Sequence, residues 1–332
     1  MRLATSLFSA AVSLCVLCVE PTRADTVTLY TSIDEPVARK VIDAFQQKTG
    51  HTVRLVTDTE ASRSVGIAEK LAAEKDRPRA EVWWGNEIFY TVGLAEAGAF
   101  DPLDAKDVDA IDLQYVDPQR RFAGVGLRVR TLGVKPGTTN VTKLSDLLKP
   151  ELKGQVVMAR PTSGTTGGHV AALYTLLGDE RADAFFKGLH DNGVTLVGGN
   201  SVAAQQVAAG NYVACITDND DIVSTNTSGV GNIDPVLPDQ ADNEQGTLTI
   251  PTTVALVHRV DHSDASKQLV TFLLSADTER VLFDEHFIAA STRKDAAASL
   301  KVKAMKVDYV VVGKALPRSI QRATALMEGR VP

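Results

Sequence analysis

The sequence predicts an α/β protein of two lobes, each a mostly parallel sheet with flanking helices. Three observations carry this. Beyond residue 24 the chain alternates β-branched runs with amphipathic helical patterns, at the spacing of crossover units. At 332 residues it is too long for one comfortable core. Two long β-rich runs, Arg121 to Val134 and Gly246 to Val257, break the alternation and bracket about one lobe's worth of chain. We read them as strands that cross between lobes as a hinge. Residues 25–125 with 247–290 then form one lobe, and 126–246 with 291–332 form the other, C-terminal helices included.

Residues 1–24 stand apart. Arg2 gives a basic start, Leu3 to Val19 is an apolar or small-residue run, and Thr22 and Ala24 are small residues just ahead of Asp25. This layout is that of a secretory signal cleaved after Ala24, and it predicts an exported protein. A membrane anchor is the competing reading, but it needs a span of roughly 20 apolar residues, longer than this run. Leu14 and Leu17 precede Cys15 and Cys18, where a lipid-anchor signal has a small residue. Removing residues 1–24 takes Arg2, Arg23 and Glu20 from 35 basic and 41 acidic residues, leaving 33 and 40, a net charge of −7. That balance argues against nucleic acid as a partner. Apolar content of 44% and charged content of 23% suit a soluble globular protein. Only Cys215 remains of the cysteines, which excludes an internal disulfide and reads as a small buried hydrophobe.

The elements follow in order. DTVTLYTS, Asp25 to Ser32, alternates as a strand. Asp34 caps the next helix, Pro36 suits its first turn, and Gly50 ends it; Val37, Val41, Ala44 and Phe45 form its buried stripe. HTVRLVTD is a strand, SVGIAEKLAAEKD a helix, AEVWWGN a strand and EIFYTVGLAEAG a helix. Trp83 and Trp84 are adjacent on their strand and so face opposite sides. In the second lobe GQVVMAR, VTLVG and YVACIT are strands, while GGHVAALYTLLG, ERADAFFKGLHDNG and NSVAAQQVAAG are helices. SDASKQLVTFLLS and DTERVLFDEHF follow the returning strand as helices.

Ligands of open α/β sheets sit beyond the carboxyl ends of the strands. Six such ends are polar here: TSIDE with Ser32, TDTEAS and GNE in the first lobe, and PTSGTTGG, GNS and TDND in the second. They outline one shared cleft. In PTSGTTGGH, Ser163, Thr165 and Thr166 supply hydroxyls, Gly164 and its fellow glycines let the backbone approach, and free N–H groups at the helix start favour an anion. The plain alternative is a capped helix start. The Lys of a nucleoside-triphosphate loop is absent. Asn200 and Ser201 open another helix and add donors.

Asp218, Asp220 and Asp221 crowd the end of one strand, and Asp34, Glu35, Asp58, Glu60 and Glu87 lie at strand ends of the other lobe. Turn residues after a strand are the plain alternative. No calcium loop is present, because its Gly and distal Glu are missing. Carboxylates gathered in one cleft repel unless a positive group sits among them. A hard cation or an ammonium group answers that need. The six histidines show no ligand spacing, and Ser163 and His169 share one loop–helix joint with no nucleophile elbow around them. The sequence is not read as an enzyme.

Five stretches carry a family resemblance: VTLYTSIDEPVARKVIDAFQQKTGHTVRL, AEVWWGNEIFYTVGLAEAGAFDPL, PTSGTTGGHVAALYTLLG, GNSVAAQQVAAGNYVACITDNDD and GTLTIPTTVALVHRVDHSDASKQLVTFLLS. In this order they resemble the periplasmic ferric-type (iron(III)) solute-binding proteins of ABC importers. The resemblance implies a type II-like periplasmic-binding-protein fold whose lobes close over a ligand by hinge motion. It also implies a monomer that delivers its cargo to a permease and ATPase complex, with no cofactor beyond a transported ferric ion. The family's paired tyrosines fall near Asn219 and Asp220 and its histidine near Asp34, while its glutamate is matched by Glu87, its anion loop by Ser163, Gly164 and Thr165, and its asparagine by Asn200.

Three functions stay open at this point. One is a metal site from Asp34 or Glu35, Glu87, Asp218 and Asp220 with a bound anion. Another is a zwitterion such as 2-aminoethylphosphonate, its phosphonate on SGTTGG and its ammonium among the carboxylates. The third is an enzyme or sensor on the same fold.

Overall fold

The computed structural model describes residues 25–57, 63–162, 164–259, 261–296 and 302–330. The expectations for the signal segment, Asp58, Glu60 and Ser163 lie outside the described residues. Strands are β1 (Thr26–Thr31), β2 (Thr52–Val56), β3 (Val82–Gly85), β4 (Phe100–Asp101), β5 (Ala123–Val134), β6 (Val156–Ala159), β7 (Thr195–Val197), β8 (Ala214–Asp218), β9 (Asp234–Val236) and β10 (Thr249–Val257). Helices in the first part of the chain are α1 (Glu35–Thr49), α2 (Arg63–Ala73), α3 (Ile88–Glu96) and α4 (Ala105–Val108). The middle adds α5 (Gly164–Leu177), α6 (Asp179–Asp191), α7 (Asn200–Ala208) and α8 (Asn219–Thr227), and the end α9 (Asp264–Leu273), α10 (Ala276–Asp284) and α11 (Tyr309–Met327).

The strand order is β2-β1-β3-β10-β5-β8-β6-β7. At one flank β1 pairs parallel with β2 and β3; at the other β6 pairs parallel with β7 and β8. The two long strands join these units and run antiparallel to each other. The first half of β5 pairs with β10, and its second half, Arg130 to Val134, pairs with β8. One strand therefore belongs to both lobes. Gly126 sits in its first half at φ 71, and a Cβ there would lie 2.6 Å from Ile288 Cδ1, so only glycine fits the turn of the strand. We propose the lobe boundary at this kink.

Helix α1 spans the expected bounds: Gly50 takes the left-handed conformation at the C-cap, while Asp34 stands at the N-cap position without the expected side-chain hydrogen bond to the helix. Its stripe of Val41, Ile42 and Phe45 packs with Trp84, α9 and α10 on one face of the first lobe. Trp83 points the other way, into a core that also holds Phe89, Leu132, Met158, Val170 and Leu316. That core spans both lobes, because α11 packs on α3 of the first and on α5 and α6 of the second. A smaller core of Ala203, Val207, Cys215 and Ile222 lies under α7 and α8. Among the described residues, no helix is long and apolar enough to cross a membrane.

The glycines of PTSGTTGGH do different work from that expected. A Cβ on Gly168 would sit 2.0 Å from the Phe89 ring, and one on Gly167 would sit 2.9 Å from Ile320. Both admit neighbouring helices rather than a ligand. Gly164, at φ 58 on the helix start, is the glycine of this motif that lines the cleft.

Candidate functional site

A cleft of about 670 Å³ opens between the lobes. One wall carries Asp34, Asn86 and the segment Asp284 to Phe287; the other carries Gly164, Thr165, Thr166, Asn200, Asp218 and Asp220. Arg128, from the hinge strand, lies at its base. Among the described residues, no tyrosine lines it.

Strand β8 runs directly into α8, so the acidic stretch is a helix start and not a loop. Asp221 reaches back to accept from the backbone N–H of Asp218 at 3.2 Å and from Thr217 Oγ1 at 2.8 Å. Carboxylates at a helix N-terminus satisfy free N–H groups and oppose the helix dipole. This explains part of the crowding.

The rest is explained by two arginines that the sequence analysis did not single out. Arg128 and Arg130 stand two apart on β5 and so point to the same side. Arg130 Nη1 donates to Asp218 Oδ1 at 2.7 Å; Arg128 Nη2 donates to Asp218 Oδ2 at 3.1 Å and to both oxygens of Asp220 at 2.7 Å. Thr165 Oγ1 at 2.6 Å and Asn200 Nδ2 at 3.1 Å also donate to Asp218 Oδ2. Asp218 is thus a saturated acceptor, 1% exposed. The positive charge its surroundings demand is supplied by the protein. LRVR, two buried-strand arginines at period two, was the available signal, because fully buried Arg is rare unless paired.

Burial raises the Asp218 carboxyl, but Arg130 and Arg128 with Thr165 outweigh it and hold it below the usual carboxylate range. Burial raises Asp220, and Asp218 adds to this, while Arg128 opposes. Burial, with Asp220 and Asp218 alongside, pushes Asp221 up to about 8. Asp221 still keeps part of its surface in the cleft. One oxygen each of Asp218, Asp220 and Asp221 lie within 4.8 Å of one another, a spacing that suits a cation.

The other expected residues scatter. Asp34 lines the cleft. Glu35 does not; it is half exposed and paired with Arg39 one turn on. Ser32 is buried behind the wall and donates to Asn86 Oδ1 at 3.0 Å. Glu87 is 1% exposed and caps α3, accepting from the N–H of Phe89 at 2.6 Å and of Tyr90 at 3.2 Å. Burial pushes it up to about 7 against those two N–H groups and Arg128. Its oxygens are committed to the helix, and we leave it out of the metal set proposed below. Asn219 does not face the cleft as a ligand either: its Oδ1 accepts from Val129 N at 2.9 Å and its Nδ2 donates to Phe287 O at 3.2 Å. It ties α8 to the hinge strand and to the first lobe. Thr166 donates to Asn200 Oδ1 at 2.8 Å, so the two anion-side helix starts are pinned together. His169 is buried, and burial followed by Arg130 pushes it down to about 3, which leaves it neutral. It does not line the cleft.

The chain is similar to known proteins along most of its length. It is 27% identical over 286 residues to the major ferric iron-binding protein of Neisseria meningitidis serogroup B, covering 84% of each chain. It is 27% identical over 188 residues to an Fe(3+)-binding periplasmic protein of Serratia marcescens, covering 55% of this chain and 54% of that one. In fold it matches a ferric binding protein from Campylobacter jejuni with a TM-score of 0.80 at 20% identity, covering 91% of this chain and 98% of the other. Residues 26–288 match the family described as bacterial extracellular solute-binding protein, and the chain belongs to that family.

Proposed function

We propose that this protein is the periplasmic substrate-binding component of an ABC importer, and that its cargo is ferric iron held with a small anion. The reading draws on the family, whose members bind solutes, and on the names of the relatives above. One observation carries it to this cleft: the oxygens of Asp218, Asp220 and Asp221 lie within 4.8 Å of one another beside two open helix starts. Carboxylate oxygens are hard donors and suit a hard cation. Asp220 and Asp221 would hold the ion, with Asp34 arriving from the opposite wall as the lobes close. Asp218 would support them from behind. The anion would take the starts of α5 and α7, at Gly164, Thr165 and Asn200, where N–H groups and the dipole favour it. A cleft of about 670 Å³ leaves room for an ion and its anion together. Capture needs no bond chemistry. Closure excludes water and strengthens the ion–carboxylate attraction, and the closed form is what a permease and ATPase complex would read.

A second reading has its own support. Arg128 and Arg130 already compensate two of the carboxylates, so an anionic or zwitterionic ligand such as 2-aminoethylphosphonate needs no metal.

Thermal shift on chelator-stripped residues 25–332 separates the two. Ferric citrate at 100 times its Kd should stabilise by about 2.7 kcal/mol, while citrate alone and 2-aminoethylphosphonate give no comparable shift. A shift with 2-aminoethylphosphonate only would replace the iron reading with the second one.

A further inference from the structure

We propose that Asp220 is a built-in counter-anion that holds Arg128 until the anion of the cargo displaces it, which makes it a specificity-determining residue of the cleft. The proposal rests on the reading of the cleft as the cargo site.

The two carboxylates on Arg128 are not equivalent. Asp218 has its own arginine, Arg130, and further donors in Thr165 and Asn200. It loses little if Arg128 turns to another partner. Among the described residues, no side chain other than Arg128 donates to Asp220, and both its oxygens meet the same Nη2 at 2.7 Å. Asp220 therefore sits where a ligand oxyanion would sit, and it closes the charge of Arg128 from within.

Arg128 is built to read an oxyanion. Its side chain is only 6% exposed, yet it lines the cleft. Its guanidinium lies over the Phe287 ring, Cζ 4.9 Å from the ring centroid, and this contact favours one orientation. A guanidinium so held presents its edge, the geometry that suits carboxylate and phosphate. It is also next to the helix starts. Arg128 Nη2 and Thr165 Oγ1 share one oxygen of Asp218, at 3.1 and 2.6 Å, so an anion on the α5 start is within its reach.

Exchange adds the anion's charge to the cleft, and the metal of the proposed cargo offsets it. The incoming anion takes the guanidinium, and Asp220 is freed at the N-terminus of α8, beside Asp221, where the metal of the proposed cargo would sit. Anion and metal then bind together, because each makes room for the other. A neutral ligand has nothing to offer Arg128 and leaves Asp220 in place.

The test uses inorganic phosphate and citrate, without metal, titrated calorimetrically into chelator-stripped wild type, Asp220→Ala, Asp220→Asn and Arg128→Gln. Removing the internal competitor should raise anion affinity at least tenfold in both Asp220 variants, and Arg128→Gln should abolish it. Thermal melts confirm folding, and Asp220→Asn keeps the shape if Asp220→Ala does not fold. Equal or weaker anion binding in folded Asp220 variants overturns the proposal. Wild type that takes ferric citrate while the Asp220 variants gain no anion affinity would sink this inference and leave the iron reading standing. The reverse pattern would sink the iron reading and leave the exchange.

Discussion

Arg130–Asp218 and Arg128–Asp220 are the same pair of residue types, both reaching from the middle of β5 to the junction of β8 and α8, and they differ in what surrounds them. Arg130 and Asp218 are each 1% exposed, and Thr165 and Asn200 complete the carboxylate. Arg128 and Asp220 are 6% and 15% exposed and border the cleft. The first pair is sealed from solvent, and its further partners, Arg128, Thr165 and Asn200, are all supplied by the protein. The second has solvent on one side and a cleft that offers other partners. Charge type is common to both; access is what separates a structural pair from one that can exchange.

The largest expected effect tests the sealed pair. Arg130→Met leaves Asp218 buried with its nearest positive partner gone, and breaking a buried pair from one side costs about 3–5 kcal/mol. Arg128→Met should cost less than half of that, because Asp220 can turn to water. Urea midpoints of the two variants give the comparison directly. Equal losses would mean that both pairs are structural and that Arg128 is not free to exchange.

A smaller effect follows from pH. Asp221 stands at about 8 in the folded chain and Glu87 at about 7, against ordinary values of 3.8 and 4.5. The folded state therefore holds protons that the unfolded state has released, and stability falls as pH rises toward those values. His169, pushed down to about 3 from 6.5, acts with the opposite sign, but mainly below about pH 6.5. Between pH 7 and 8.5 the carboxyl groups outweigh it. We expect wild type to lose stability across that window, by up to about 2 kcal/mol per pH unit at its lower end, and Asp221→Asn to flatten most of the slope. Iron affinity should move the other way, rising with pH as the proton on Asp221 leaves. A slope that survives in Asp221→Asn would assign it elsewhere, to Glu87 in the sealed interior.

Local rules made much of this fold legible. Pro36 and Gly50 marked the bounds of α1, with Asp34 at the N-cap position but not bonded to the helix through its side chain, and the long runs ending at Val134 and Val257 announced strands too long for one lobe. Trp83 and Trp84 parted to opposite cores because strand side chains alternate. The site was legible in kind and not in pairing. Asp218, Asp220 and Asn200 do meet, but the positive groups they face come from a strand some ninety residues earlier in the chain. No local pattern in TDNDD reports Arg128. The glycine pair went astray for the same reason: Gly167 and Gly168 face Ile320 and Phe89, partners set by tertiary packing.

Glu87 is the smallest and last case, and it bears on both pairs. The resemblance placed it at the metal, and the structure places it on the N–H groups of Phe89 and Tyr90. Glu87→Gln keeps one acceptor oxygen for that cap and removes a charge that burial penalises. The two changes oppose each other, and a cap is worth about 1 kcal/mol. Stability should therefore shift by less than about 1 kcal/mol, and iron affinity by less than twofold. A tenfold loss of iron would mean that closure turns Glu87 off its helix and into the cleft. The sealed side of the molecule would then also exchange partners on binding, and exposure in one state would no longer tell a structural carboxylate from a functional one.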